Sequence, residues 1–95
     1  MFEWDQSKAA HNETKHGVSF EEASTAFFDA SGIDGEDLDH SITEERRYRL
    51  ARSAAGNVLV IVYTVRRHAN EKNIRIISAR LANRKEKKRY QEEKD

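Results

Sequence analysis

The longest apolar run of the chain, VLVIVYTV at residues 58–65, constrains the fold more than any other feature. It is rich in β-branched residues and has no polar face, which predicts a strand buried on both sides. The AAGN segment before it is typical of a hairpin turn, and RRHANEK after it predicts a second turn. The run is therefore expected to be the central strand of an antiparallel meander.

The segments that flank this run predict further strands, and they carry many basic residues. RRYRLARS at residues 46–53 alternates, with Tyr48 and Arg52 on one face, which indicates a half-buried strand. NIRIISAR at residues 73–80 predicts the third strand of the meander. The short alternation in MFEW at the start of the chain predicts a brief first strand.

Two helices are predicted upstream of the meander by their capping signals. Asp5 can cap a helix that runs to about His16, and Gly17 suits the left-handed position that ends it. Ser19 and Glu22 then form the S-x-x-E capping box of a second helix. The stretch between residues 15 and 23 is therefore expected to join two helices.

The remaining segments complete an α+β chain. Residues 29–45 are acidic, contain two glycines and show no clear period, which predicts a loop with at most a short irregular strand. LANRKEKKRYQEEKD at residues 81–95 predicts a final helix with few apolar anchors. The expected fold is a small antiparallel sheet of three main strands plus a short N-terminal strand, with two N-terminal helices and one C-terminal helix covering one side. Its length suits a single domain at residues 1–95.

The charge of the chain balances only over its whole length. Residues 1–45 carry a net charge of −10 and residues 46–95 a net charge of +10. This division favours a polyanionic partner for the basic half, unless the two halves neutralise each other within the fold. The chain has no cysteine, which excludes disulfides and thiolate metal sites. With no membrane-spanning run and no signal peptide, the sequence predicts a cytoplasmic protein.

Six short motifs follow one another along the chain: FEWD, KHGVSFEEA, DLDHS, EERRYRLARS, VIVYTVR and IRIISAR. In their joint order and spacing they resemble the BrnT-type toxins of type II toxin–antitoxin systems. The resemblance covers about residues 2–92. Each motif is weak alone, whereas the ordered set is specific.

The resemblance implies a RelE-like fold and a ribonuclease that halts growth. It also implies a BrnA-like antitoxin, whose ribbon-helix-helix end binds DNA, so that operator DNA is contacted only through the antitoxin. Members commonly carry a D-P-x-A-L-like strand after the second helix. Here the corresponding DASGIDGED at residues 29–37 has two glycines and no proline, so this segment departs from the family pattern at the added strand.

Cleavage of RNA without a metal needs three groups. One removes the 2′-hydroxyl proton, one stabilises the charge of the pentavalent phosphorane, and one protonates the 5′-oxygen. No cluster in the sequence reads as a metal site and no cofactor is implied, so a metal-free mechanism fits best. The catalytic candidates are Arg80, Arg66, His40, Glu45 and Tyr90. Arg80 is preferred for the transition-state charge because it stands between the last strand and the last helix, and a guanidinium binds phosphate with two N–H groups.

The predicted RNA-binding residues are cations of the first helix, the strands and the last helix: Lys15, Arg49, Arg52, Arg84, Lys85 and Lys88. Arg49 and Arg52 project from opposite faces of their strand, so at most one of them shares a face with the site. Simpler roles stay open for these residues. Tyr90 can anchor the last helix, Glu45 can pair with Arg49, and His40 can be an ordinary loop histidine.

A second class of function is a non-catalytic nucleic-acid-binding or complex-forming protein on the same scaffold. Growth arrest after expression of the chain alone discriminates between the two classes. In either case, the basic strands and the last helix are expected to form one continuous positive surface. The acidic N-terminal half is expected on the other side of the molecule.

Overall fold

The computed structural model describes residues 1–37 and 45–94, which contain one five-stranded sheet and three α-helices. The strands are β1 (Phe2–Glu3), β2 (Ile33–Glu36), β3 (Arg47–Arg52), β4 (Val58–His68) and β5 (Glu71–Leu81), and the helices are α1 (Gln6–His16), α2 (Phe20–Thr25) and α3 (Arg84–Lys94). A 3₁₀ turn at Ala26–Phe28 follows α2. The strand order in the sheet is β1-β5-β4-β3-β2, so the apolar run of β4 is the central strand, as predicted.

The sheet is mixed rather than wholly antiparallel. β2, β3, β4 and β5 pair antiparallel, but β1 pairs parallel with β5 through Phe2 opposite Ile74 and Glu3 opposite Arg75. The prediction of an antiparallel sheet is wrong at this edge, because the helices α1 and α2 carry the chain away after β1 and the chain re-enters the sheet elsewhere. The long β4–β5 hairpin turns at residues 69 and 70, where Ala69 has a φ of 54°.

The strand β2 forms where the sequence favours a loop. It pairs with β3, from Ile33 opposite Leu50 to Glu36 opposite Arg47. The two glycines that suggested a loop are here sites of close approach. A Cβ on Gly32 would overlap the guanidinium of Arg49, and a Cβ on Gly35 would lie 2.5–2.7 Å from the ring and hydroxyl of Tyr48.

The predicted helix caps are confirmed. The Asp5 side chain accepts a hydrogen bond from the backbone N–H of Lys8 at 3.0 Å, and Gly17 ends α1 with a φ of 71°. The Ser19 hydroxyl accepts from the backbone N–H of Glu22 at 3.0 Å, which starts α2. These caps fix the joint between α1 and α2.

The capping box of α2 is only half formed, because Glu22 has other partners. Its carboxylate accepts hydrogen bonds from the hydroxyl of Ser53 at 2.7 Å and from the side-chain amide of Asn57 at 2.9 Å. Both residues belong to the turn between β3 and β4. Glu22 therefore fastens α2 to the β3–β4 hairpin.

The two faces of the sheet carry separate apolar clusters. Side chains on one face of β3, β4 and β5, including Ala51, Ile61 and Ala79, pack against α1 and α2. On the other face, Leu50 packs with Tyr90 of α3. The prediction that all helices cover one side is wrong, since β4 is apolar on both faces and α3 covers part of the second.

Asn12 of α1 is a buried polar residue with a structural task. Its side-chain amide donates to the backbone carbonyl of Ala79 at 2.8 Å and to that of Val18 at 3.0 Å, and its side-chain oxygen accepts from the N–H of Ala79 at 3.1 Å. Asn12 therefore pairs with the backbone of β5 much as a neighbouring strand would, at a point beyond the two residues of β1.

Candidate functional site

The sheet face that α1 and α2 leave uncovered contains an open cleft beside α3. We call it the Arg80 cleft; its volume is about 530 Å³. Its floor is formed by apolar side chains of the central strands, and its rim by charged residues of β2, β5 and α3. The lining residues are Glu36, Asp37, Tyr48, Leu50, Val60, Val62, Arg80, Glu86 and Arg89.

Arg80 stands at the end of β5 and presents its guanidinium to this cleft. Two parallel hydrogen bonds, at 2.8 and 2.9 Å, join it to the two carboxylate oxygens of Glu86. The hydrogen bonds from Arg80 hold the pKa of Glu86 below its usual value, and Glu86 in turn raises the pKa of Arg80. The side chain of Arg80 is 42% exposed, so its fork is open to an anion from solvent.

Glu86 has a second task at the start of α3. One of its carboxylate oxygens accepts from the N–H of Asn83 at 2.9 Å, and its own N–H donates to the side-chain oxygen of Asn83 at 2.8 Å. This reciprocal pair is a capping box. Glu86 therefore connects the first turn of α3 to Arg80 at the end of β5.

An aromatic ring lies in the same cleft. The guanidinium of Arg89 sits 5.7 Å from the centroid of the Tyr48 ring, a cation–π distance. Tyr48 was not among the candidates chosen from sequence, and Arg89 was expected only as one cation of the positive surface that includes the last helix. Tyr48 alternates onto the open face of β3, and Arg89 reaches it only because α3 folds back across the sheet.

Tyr90 belongs to α3, and its side chain packs between this helix and the sheet. It does not line the Arg80 cleft. It is 2% exposed, and its hydroxyl donates to Asp29 at 2.7 Å. Burial raises the pKa of Asp29, but hydrogen bonds from Tyr90 and from the backbone N–H groups of Arg52 and Ser31 bring it below its usual value. This geometry gives Tyr90 the anchoring role that the sequence left open.

The structure separates Arg49 and Arg52 and places neither in the Arg80 cleft. Arg49 is buried on the helix-covered face, where it donates to the backbone carbonyls of Ala26 and Asp29 at 3.0 and 2.6 Å and to Asp34 at 2.5 Å. Its guanidinium therefore holds the segment around the start of β2, and its side chain is only 11% exposed. Arg52 lies 5.6 Å from the centroid of the Tyr90 ring and donates to the carbonyl of Gly56 at 2.8 Å.

The other sequence candidates are spread over the surface. Arg66 is exposed in the distal part of β4, and Glu45 lies just before β3 on the other side of the sheet. Lys15 lines a shallow groove along α1. The three α3 cations named from sequence, Arg84, Lys85 and Lys88, are exposed. His40 lies outside the residues that the structure describes.

A second cleft of about 720 Å³ lies on the opposite side of the sheet. We call it the Arg47 cleft. Two of its lining residues, Glu45 and Arg49, were candidates from sequence. The others were not selected from sequence: Phe27, Asp34, Arg47, Tyr63, Val65, Arg67, Lys72 and Ile74. Arg67 and Lys72 fall in the segment predicted as a turn, and Tyr63 in the apolar run, so the sequence pattern hid their common location.

Two general properties of the described chain bear on the site. Within residues 1–37 and 45–94, no group of three or more acidic or histidine side chains is arranged to hold a metal ion. In the same residues, none of the helices has the length and apolar character needed to cross a bilayer.

Comparisons with known proteins give one matching family model and one similar fold. A family model described as "Ribonuclease toxin, BrnT, of type II toxin-antitoxin system" matches residues 4–86. The fold is similar to the crystal structure of the Brucella abortus ribonuclease toxin BrnT, with a TM-score of 0.63 and 18% sequence identity over 88% of this chain and 99% of that one. No curated protein matches the sequence.

Proposed function

The chain belongs to the BrnT family of ribonuclease toxins of type II toxin–antitoxin systems, and on this premise we propose that it is a metal-independent endoribonuclease whose RNA site is the Arg80 cleft. One observation supports this location of the RNA site. The Arg80 guanidinium faces an open cleft and donates two parallel hydrogen bonds to the carboxylate of Glu86. A phosphate group offers the same pair of oxygen acceptors to such a fork.

In the proposed reaction, the scissile phosphate replaces Glu86 as the partner of Arg80. Charge that develops on the phosphorane then meets a guanidinium that is already in place, which lowers the barrier without reorganisation. The ring of Tyr48, with Arg89 above it, offers a stacking surface for a neighbouring base. Because Glu86 also caps α3, binding of the phosphate is expected to loosen the first turn of that helix.

Proton transfer is proposed for one of the groups named from sequence. Glu45 and Tyr90 lie outside the lining of the Arg80 cleft, so in this conformation neither is placed for the step. His40 remains the proposed proton-transfer group, because histidine is the side chain whose ordinary pKa lies nearest neutrality. Arg66, exposed on β4, is proposed to contact the RNA backbone beyond the scissile phosphate.

The proposed biological setting is the cytoplasm, where cleavage of RNA arrests growth. A BrnA-like antitoxin would neutralise the protein and carry the pair to operator DNA. The exposed cations of α3 support a docking surface for it, since an acidic segment laid across α3 would also cover the mouth of the Arg80 cleft. Lys15 on α1 is proposed as a peripheral RNA contact.

The test of this function is the purified Arg80→Ala protein assayed on single-stranded RNA with a metal chelator present. Loss of one preorganised donor to the transition-state charge is expected to slow cleavage by about 100- to 1000-fold. Arg80→Lys is expected to fail as well, because an ammonium cannot supply the two parallel hydrogen bonds. Lys8→Ala, an exposed change on α1, is the control.

Circular dichroism and thermal melts must show that all three proteins are folded. An Arg80→Ala protein that is folded and cleaves RNA at the parental rate would remove Arg80 from the site. Loss of activity of the parent with chelator would contradict the metal-free mechanism while leaving the cleft in place.

The pairing of Arg80 with Glu86 also suits a second candidate, a non-catalytic complex-forming protein. In that case the carboxylate of Glu86 neutralises Arg80, which would otherwise bind an anion in the cleft. Induced expression of the chain alone separates the two. Growth arrest that disappears with Arg80→Ala supports the ribonuclease. Unaffected growth with soluble, folded protein supports the second candidate.

A further inference from the structure

The Arg47 cleft lies on the sheet face opposite Arg80. Arg47 is paired with Tyr63 and Arg49 with Ile61, so these side chains share the face that packs against α1 and α2. The cleft opens beyond those helices, where the β4–β5 hairpin extends past the core. Its volume of about 720 Å³ is in the range of small-molecule sites and large enough for a nucleotide.

Two cations in the cleft are placed against each other. Arg67 of β4 and Lys72 of β5 are directly opposite in the strand register. Like charges at opposed positions of a sheet destabilise it. Neither side chain makes an ion pair or a hydrogen bond with any residue in the described ranges 1–37 and 45–94. An anion bound between them would relieve the repulsion.

The acidic residues of the cleft do not neutralise it. Asp34 accepts hydrogen bonds from buried Arg49 at 2.5 Å and from the Tyr63 hydroxyl at 2.7 Å, so its charge is already matched. Arg47 lies 3.7 Å from exposed Glu45 and 3.4 Å from the Tyr63 hydroxyl. The lining residues comprise four cations and two carboxylates, which leaves a net positive charge.

The wall of the cleft is aromatic and apolar. The rings of Phe27 and Tyr63 meet edge to face with centroids 5.0 Å apart, and Val65 and Ile74 lie beside them. Phe27 is only partly buried. Tyr63 is only 6% exposed, so the ring that solvent can reach is that of Phe27, with Tyr63 supporting it from behind. An accessible ring next to unpaired cations is the combination by which proteins hold a nucleobase and its phosphate.

We propose that the Arg47 cleft is a second nucleotide-binding site, in which Arg67 and Lys72 hold a phosphate of single-stranded RNA and the ring of Phe27, supported by Tyr63, holds the adjacent base. The choice of RNA rests on the proposed function, but the site is separate from the Arg80 cleft. An acidic protein partner would use the cations and leave the aromatic wall without a purpose, so RNA is the better match.

The first experiment follows backbone amide NMR signals during titration with 5′-AMP and with a short 2′-O-methyl oligoribonucleotide that resists cleavage. Both probes are expected to shift the signals of Phe27, Tyr63, Val65 and Ile74. In the Arg67→Gln/Lys72→Gln protein, binding of 5′-AMP at these residues should weaken at least about tenfold, since two phosphate contacts are removed. Lys8→Gln/Lys94→Gln removes the same charge elsewhere and should bind like the parent.

The second experiment measures oligonucleotide affinity against salt. Loss of two phosphate contacts is expected to reduce the log–log slope by about 1.4, and the control pair should leave it unchanged. Equal slopes for the Arg67→Gln/Lys72→Gln protein and the parent would overturn the proposal. So would nucleotide-induced shifts confined to the Arg80 cleft, or binding of an acidic peptide but not of 5′-AMP.

Failure of this proposal can be told apart from failure of the ribonuclease assignment. If the protein has no ribonuclease activity but still binds 5′-AMP near Tyr63, the ribonuclease proposal is wrong and the second nucleotide site stands. If it is a ribonuclease that depends on Arg80 but binds no nucleotide near Tyr63, the ribonuclease proposal stands and the second site is wrong. Thermal melts of the Arg67→Gln/Lys72→Gln protein guard against a loss of fold, and removal of the opposed charges is expected to leave its midpoint equal or higher.

Discussion

At the scale of single residues, the glycines of this chain serve different purposes that their neighbours in sequence do not reveal. Gly17 is needed for its left-handed backbone, with a φ of 71° and open space where a Cβ would point. Gly32 and Gly35 are needed because they have no side chain: a Cβ on Gly32 would overlap Arg49, and a Cβ on Gly35 would overlap Tyr48. Only the first purpose was predicted, because it leaves a local capping pattern.

Replacement of Gly17 by valine is expected to lower the free energy of unfolding by more than about 1 kcal/mol, since a β-branched residue is strained at positive φ. Urea unfolding at neutral pH measures the change. Gly17→Asn is the matched control, because asparagine tolerates the left-handed region and should cost less. Equal stability of the valine and parent proteins would mean that α1 does not depend on the conformation of Gly17.

Arg49 shows why candidate site residues are hard to select from sequence. Its position in a basic strand suggested RNA contact, but its three hydrogen-bond acceptors come from Ala26, Asp29 and Asp34, which are 15 or more positions away in the chain. No local pattern encodes such partners. A buried charge that is compensated by distant hydrogen-bond acceptors can be recognised only in the folded structure.

At the scale of elements, the sequence predicted that α3 is a helix but not where it packs on the sheet. The sequence indicated the helix and Tyr90 as its anchor. The two-sided apolar character of β4 already required cover on both faces of the sheet, but it did not say which helix supplied it. The structure shows α3 doing so through Tyr90 and Leu50, with Glu86 joining its start to β5.

Glu86 is expected to make stability depend on pH in the acidic range. Its pKa is lowered in the folded protein, chiefly by Arg80. A carboxyl whose folded pKa is depressed stabilises the fold above its unfolded value of about 4.5, and this contribution is lost as the pH falls through the folded pKa. Urea unfolding between pH 7 and pH 3 should therefore show a shallower decline for Glu86→Gln than for the parent.

Glu92→Gln is the control for that measurement, because Glu92 also lies on α3 but only approaches Lys88, at 4.0 Å, on the exposed side. It should follow the parental pH dependence. If RNA phosphate replaces Glu86 at Arg80, then Glu86→Gln should also bind RNA more tightly than the Glu92→Gln protein. Identical pH profiles for both variants would show that the pairing of Glu86 with Arg80 contributes little in solution.

At the scale of the whole molecule, the division of charge along the chain does not become two separate sides. Strand residues alternate between faces, so Arg47 and Arg67 lie in one cleft and Arg80 in the other. Acidic Glu36 and Asp37 of the N-terminal half line the same cleft as Arg80. The expectation of one continuous positive surface opposite an acidic side is therefore wrong in this respect.

The exposed cations of α3 permit a separate prediction about RNA binding. If Arg84, Lys85 and Lys88 each contact a phosphate, changing all three to glutamine should reduce the log–log salt slope by about 2. Fluorescence anisotropy with a labelled single-stranded RNA at several salt concentrations gives the slope. Antitoxin added at saturation should release the RNA, and a stable ternary complex would show that the two partners use different surfaces.

Asn12 has a consequence for how the protein behaves at high concentration. The exposed edge of a sheet can recruit a strand from another molecule, which leads to aggregation. Since β1 covers only two residues of β5, the N–H and carbonyl of Ala79 would be available for such recruitment if Asn12 did not bind both. An Asn12→Leu protein is therefore expected to self-associate as its concentration rises in gel filtration, whereas His11→Leu, on the exposed side of α1, should stay at the parental elution volume.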